Sequence, residues 1–175
     1  MITRNEVVEF ETRDGFLDLN ARDGFCFSAL LSKDGRWVTH GILQGFGDEI
    51  EGMASSFNTA FEILVFGRDP EAMSAAANRV LALKGGIVAV ENQKVVYECP
   101  LPLGGMMSDA PMNELAEKER ALKEFLSRRG YPFHDPLFTL LFLPGDFLPE
   151  VRMTYKGVLN IKNNEVLWPR RELVN

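Results

Sequence analysis

Short apolar runs separated by Asp-Gly pairs open the chain. Residues 7–11, 16–19, 25–31 and 37–39 read as strands, divided by Asp14-Gly15, Asp23-Gly24 and Asp34-Gly35. Asp-Gly supplies the positive φ angles of tight hairpin turns, so this spacing predicts a β-meander. A glycine-punctuated stretch follows, containing Gly45-Phe46-Gly47 and Gly52, and then an apolar strand over residues 61–66.

The next segment changes period. Asp69 is placed to cap a helix, Pro70 to open it and Glu71 to complement its dipole. Met73, Ala76, Ala77, Val80 and Leu81 recur at helical spacing, and Gly85-Gly86 ends the run. A hairpin is predicted over 87–91 and 94–98, turning at Asn92-Gln93. A Pro/Gly-rich connection, 100–105, leads to a second helix. Ser108 or Asp109 would cap it, Pro111 would open it, and Gly130 with Pro132 would end it. Its stripe is Met112, Leu115, Leu122, Phe125 and Leu126, against an outer face dense in Glu, Lys and Arg. The last third reads as strand again, over 137–143, 151–154, 158–161 and 166–168. The pattern predicts one domain over residues 1–175. Its fold class is α+β, a mixed, mostly antiparallel sheet covered by two main helices.

Composition narrows the function. The chain of 175 residues is 46% hydrophobic and 25% charged, the balance of an ordinary globular protein. Its formal charge is −6, and its few paired basic residues, Arg128-Arg129 and Arg170-Arg171, are scattered. No nucleic-acid partner is expected, because phosphate backbones need a basic face. The apolar runs are too short to span a bilayer and no basic-plus-apolar leader is visible, so the expectation is a cytoplasmic protein with no membrane partner. Cys26 and Cys99 lie in apolar contexts and read as buried thiols.

The chemistry-bearing residues do not converge in sequence. His40 and His134 each stand alone, without the paired spacing that zinc or iron ligands show. Ser55-Ser56 has no nucleophile elbow around it and reads as a buried or capping pair. The stretch 103–109, with Gly104-Gly105, has the outline of a phosphate cradle but lacks a P-loop lysine, and Asp109 would repel an anion. It reads as a close-packed turn. No catalytic, metal-binding or cofactor-binding residue is assigned, and no cofactor is expected.

Several stretches carry a resemblance. Leu83-Lys84-Gly85-Gly86-Ile87-Val88-Ala89-Val90, then Pro100-Leu101-Pro102-Leu103-Gly104-Gly105-Met106-Met107-Ser108-Asp109, resemble the C-terminal domain of bacterial adenine deaminases. Asp135-Pro136-Leu137-Phe138 onward, Leu148-Pro149-Glu150-Val151-Arg152-Met153-Thr154 and Gly157-Val158 continue it. Gly45-Phe46-Gly47, Ala54-Ser55-Ser56 and Ala77-Asn78-Arg79 fall in the order that family shows. The resemblance implies a relative of metal-dependent amidohydrolases, which convert adenine to hypoxanthine and ammonia. Their metal ligands lie on a barrel N-terminal to this domain.

Two departures stand out. Where the family has His-Asp-x-His-Asn after Ala-Ser-Ser, this chain has Phe57-Asn58-Thr59-Ala60-Phe61. The family's Arg-His-x-x-x-Gly stretch has no secure counterpart in Arg36 or His40. The resemblance therefore implies a free-standing domain without the barrel, non-catalytic, acting by assembly or regulation and pairing as a homodimer. The alternatives it leaves open are a component of an adenine deaminase whose barrel is on another chain, and a purine-like small-molecule binding domain.

Overall fold

The computed structural model describes residues 6, 8–13, 16–19, 23–47 and 49–173. Twelve strands and three helices follow in chain order among these residues. They are β1 (Thr12–Arg13), β2 (Phe16–Leu17), β3 (Phe25–Leu31), β4 (Trp37–Gln44), β5 (Gly52–Ser55), β6 (Ile63–Gly67), α1 (Pro70–Ala82), β7 (Gly86–Glu91) and β8 (Lys94–Pro100). Then come α2 (Met112–Ser127), α3 (Pro136–Phe142), β9 (Val151–Thr154), β10 (Gly157–Asn160), β11 (Glu165–Pro169) and β12 (Arg171–Glu172). No helix among the described residues is long and apolar enough to cross a membrane.

The fold class is α+β. A seven-stranded sheet runs in the order β12-β4-β3-β6-β5-β7-β8, and every pairing in it is antiparallel. Both faces are covered over β5, β6 and β7, which explains the continuous apolar character of these central strands, while His40, Ile42 and Gln44 of β4 are exposed. Ile63 and Val65 of β6 and Val88 and Val90 of β7 point to one face, where Ala72, Ala76, Ala77 and Val80 of α1 meet them. The alternate residues Leu64, Phe66, Ile87 and Ala89 point to the other face, against Leu122 and Leu126 of α2 and Leu140 of α3. Period-two side-chain alternation thus divides one sheet between two apolar layers. The three-stranded sheet β11-β10-β9 lies beside β4, where the Thr39 hydroxyl donates to the Thr154 carbonyl at 2.8 Å.

The local signals that succeeded have clear physical causes. The Asp69 carboxylate accepts from the Glu71 amide with Pro70 in the first turn. Asn92 and Gln93 both take positive φ, 49° and 60°, as a two-residue hairpin turn requires. Gly24 and Gly35, at φ 84° and 70°, close two of the Asp-Gly turns, while Asp14-Gly15 lies outside the described residues.

Several expectations are corrected. Residues 137–143 are not a strand: Pro136–Phe142 is a helix, capped by Asp135, whose carboxylate accepts from the Phe138 amide. The segment is apolar on most sides, so its composition alone resembles a buried strand. The two main helices, α1 and α2, cover the sheet as expected, and the seven-residue α3 adds to the α2 side. Neither Ser108 nor Asp109 caps α2; Pro111 occupies the cap position without a side-chain bond, and the Ser108 hydroxyl accepts from the Ala110 amide. Met112 is 79% exposed and Leu81 42% exposed, so both fall outside their buried stripes, and Ala72 joins the α1 stripe instead. The first strand-like run is irregular over residues 8–11, with Val7 outside the described residues, and the second is shortened to Phe16–Leu17. Strands β1, β5 and β12 were not foreseen.

Gly52 sets the distance between sheet and helix. A Cβ there would lie 2.2 Å from the Ala72 carbonyl carbon and 2.4 Å from the Met73 nitrogen. These are backbone atoms at the start of α1 and cannot swing aside. Gly52→Ala is expected to cost about 2 kcal/mol or more, seen as a lower urea midpoint with an unchanged slope.

Candidate functional site

One end of the seven-stranded sheet collects the loops that the sequence singles out. Leu31 pairs with Ile63, Ser55 with Leu64 and Ile87, and Gly86 with Pro100. The ends of β3, β5 and β8 and the starts of β6 and β7 therefore lie together. Loops 32–36, 56–62 and 101–107 all emerge there.

Buried polar side chains build these loops. The Ser32 hydroxyl accepts from the Arg36 and Trp37 amides, at 2.8 and 3.0 Å, and closes the first loop. Ser56 is 1% exposed; its hydroxyl accepts from the Gly86 amide at 2.9 Å and donates to the Gly105 carbonyl at 2.7 Å. It fastens the third loop to the start of β7. With both functions of the hydroxyl engaged by backbone, Ser56 is a structural clip rather than a nucleophile. Asn58 is fully buried and organises the second loop. Its Nδ2 donates to the Ser55 and Glu62 carbonyls, at 3.1 and 2.8 Å, and its Oδ1 accepts from the Ala60 amide at 3.1 Å. A buried amide that satisfies three backbone groups holds a loop in one conformation.

The Gly104-Gly105 segment is a packed turn, bridged between Leu103 and Met107. Gly105 takes φ 78°, and a Cβ there would fall 3.1 Å from the Ser56 hydroxyl and 3.2 Å from the Lys33 ammonium. Lys33 in turn donates its amide to the Glu62 carboxylate at 2.8 Å. These contacts tie all three loops into one rim.

Large apolar side chains are exposed on this rim, beside the exposed Lys33, Asp34 and Arg36 of the first loop. Phe61 is 62% exposed and holds φ 58°, a left-handed conformation in which a bulky side chain is strained. Leu103, Met107, Phe138 and Phe147 are also about half exposed or more. The end of α3 joins the rim through the Thr59 amide, which donates to the Leu141 carbonyl at 2.9 Å, and Phe138, Phe142 and Phe147 form a chain of ring contacts.

The two histidines are not brought together. His40 sits on β4 opposite Ala29, and His134 lies beyond α2. Desolvation and then the nearby Arg171 charge hold the His40 imidazole below its ordinary pKa, which leaves no electrostatic reason for it to act as a cation. Cys26 and Cys99 are buried and not joined in a disulfide, and burial pushes the Cys99 thiol up, away from a reactive thiolate. Among the described residues no group of three or more His, Cys, Asp or Glu side chains could hold a metal ion.

A family model for the adenine deaminase C-terminal domain matches residues 1–165. The chain belongs to that family. A protein of Oceanobacillus iheyensis named "putative adenine deaminase" is 35% identical over 154 residues, covering 88% of this chain and 27% of its own length. One of that name from Bacillus cereus is 37% identical over 149 residues, 85% of this chain and 25% of its own. The adenine deaminase of Methanosphaera stadtmanae is 33% identical over 134 residues, 76% of this chain and 24% of its own. The chain spans about a quarter of the length of these curated relatives. In this adenine deaminase C-terminal domain, the segment Phe57–Phe61 occupies the rim, and its one buried polar hub, Asn58, serves the backbone. The sequence marked that segment by its lack of histidine, but Asn58 itself went unnoticed, because an isolated asparagine in a loop looks like any turn residue.

The strain at Phe61 is testable. Phe61→Asn places a residue that tolerates the left-handed region at an exposed site. It is expected to raise stability by about 0.5–1 kcal/mol, read as a higher midpoint in urea. Measured at a concentration low enough to keep the chain monomeric, an unchanged or lowered midpoint would mean that the phenyl ring contributes more packing than its conformation costs.

Proposed function

We propose that this chain is a non-catalytic member of the adenine deaminase C-terminal domain family that acts through assembly, with the aromatic rim as the face that pairs two copies. The observation that carries this reading is the exposure of Phe61, Leu103 and Met107 on the rim loops, with the exposed Phe138 and Phe147 on the α3 segment that Thr59 ties to them. Exposed apolar patches of that kind mark association surfaces. A face shared by two identical chains meets itself across a two-fold axis, so each phenylalanine contributes twice. The rim beneath is held rigid by Ser56 and Asn58, which lowers the ordering cost of association.

Light scattering at high micromolar concentration is expected to give twice the 19.7 kDa of the chain. A double variant, Phe61→Asp with Phe147→Asp, is expected to run as a monomer with unchanged circular dichroism. A monomeric wild-type chain would overturn the dimer.

A second reading has one observation in its favour. The relatives extend well beyond the matched quarter, so the same rim suits a body supplied by a separate polypeptide. In that case the domain completes an adenine deaminase made of two chains. Both readings give the same result for the chain by itself. Attack of water on the adenine ring needs a metal-activated hydroxide, and the described residues hold no donor set for one. Adenine loss and ammonia release are expected to stay at background with added iron, manganese or zinc. Turnover that persists through further purification and disappears with a chelator would refute both. Activity only after mixing with a barrel-bearing partner would select the second.

A further inference from the structure

A cleft of about 400 Å³ opens between the second half of α2 and the segment that follows it. It lies toward the opposite end of the sheet from the aromatic rim: Arg129, just beyond α2, pairs with Glu91 at the far end of β7. One wall is a helical stripe of Arg120, Lys123 and Ser127, and the other is formed by Phe133 and His134. Tyr131 is buried where the walls meet, its ring in edge contact with Phe46 and Phe133 and its hydroxyl donating to the Thr139 hydroxyl at 2.7 Å. That anchoring fixes the wall that carries Phe133, which is nevertheless 55% exposed.

The charge of the cleft runs against that of the chain. Arg120 donates its Nε to the Ala116 carbonyl at 3.1 Å, and no ion pair among the described residues involves Arg120 or Lys123. The one carboxylate in the lining, Glu124, is paired with Arg128. Two cations that make no ion pair among the described residues thus line the cleft beside an exposed aromatic ring and an imidazole, in a protein of net charge −6. Fork-shaped guanidinium donors match phosphate oxygens, and a lysine adds a point charge to the same dianion. The volume falls within the roughly 300–1,000 Å³ of small-molecule sites.

We propose that this cleft binds a small aromatic phosphate of the mononucleotide class. Arg120 and Lys123 hold the phosphate, and the ring lies against Phe133 and His134. The site shares no residue with the assembly face, so the two stand or fall separately.

The test is calorimetry together with an amide-shift titration of the whole chain, using adenosine monophosphate, adenosine and inorganic phosphate as probes. The nucleotide is expected to saturate, to shift resonances within residues 120–134, and to bind more weakly as salt is raised. Adenosine and phosphate are each expected to bind about tenfold more weakly or worse. Arg120→Gln with Lys123→Gln is expected to weaken the nucleotide about tenfold while leaving the melting curve and oligomeric state unchanged. Absence of saturation in the millimolar range would overturn the site. So would shifts confined to other residues, phosphate binding as tightly as the nucleotide, or wild-type affinity in the double variant.

Discussion

Strands β6 and β7 are apolar at nearly every position because the sheet they belong to is covered on both sides. Ile63 and Val65 face α1 while Leu64 and Phe66 face α2 and α3, and β7 repeats the arrangement. Where the sheet is placed this way, over β5, β6 and β7, it has no free face on which to build a site, since a polar group on either side would need a buried partner. Its ends and its outer helical surface are what remain for function. The Gly52 contact with α1 shows how closely the layers sit, with backbone touching backbone.

The loop end follows from that constraint. Each chain reversal there leaves amides and carbonyls outside the strand ladders, and buried backbone groups must be satisfied. Ser32, Ser56 and Asn58 supply the missing partners from short side chains that fit under the loops. Their polar atoms are consumed in holding the rim, which presents Phe61, Leu103 and Met107 outward beside the charged Lys33, Asp34 and Arg36 of the first loop. An apolar face over a rigid polar underlayer suits association better than chemistry. The cleft beside α2 is the converse: its polar groups face outward, and Arg120 and Lys123 keep their charges free for an anion.

Much of the secondary structure was legible. The Asp69-Pro70 start of α1, the Asn92-Gln93 hairpin and the strands Phe25–Leu31 and Val151–Thr154 are specified by interactions within a few residues. The family was legible too, through the segments around Gly85-Gly86 and Pro100 to Asp109, and the match over residues 1–165 supports it. The helix Pro136–Phe142 shows where such signals divide. Its Asp-Pro start repeats that of α1, yet the uninterrupted apolar run after it masks the helical period.

By itself the sequence determined what local sterics and short hydrogen bonds dictate: turns at glycine and asparagine, helix starts at Asp-Pro, and apolar strands. Only the tertiary structure decided that Gly52–Ser55 is a strand at all. Four residues gain strand character there from the ladders of β6 and β7 on either side, whose pairing is set by neighbours distant in the chain. The same non-local pairing brought Lys33, Ser56, Asn58 and Gly105 to one end of the sheet and placed Phe133 across from Arg120. Side chains far apart in sequence meet only when burial of both sheet faces selects one strand order, and that selection is a property of the whole packed chain.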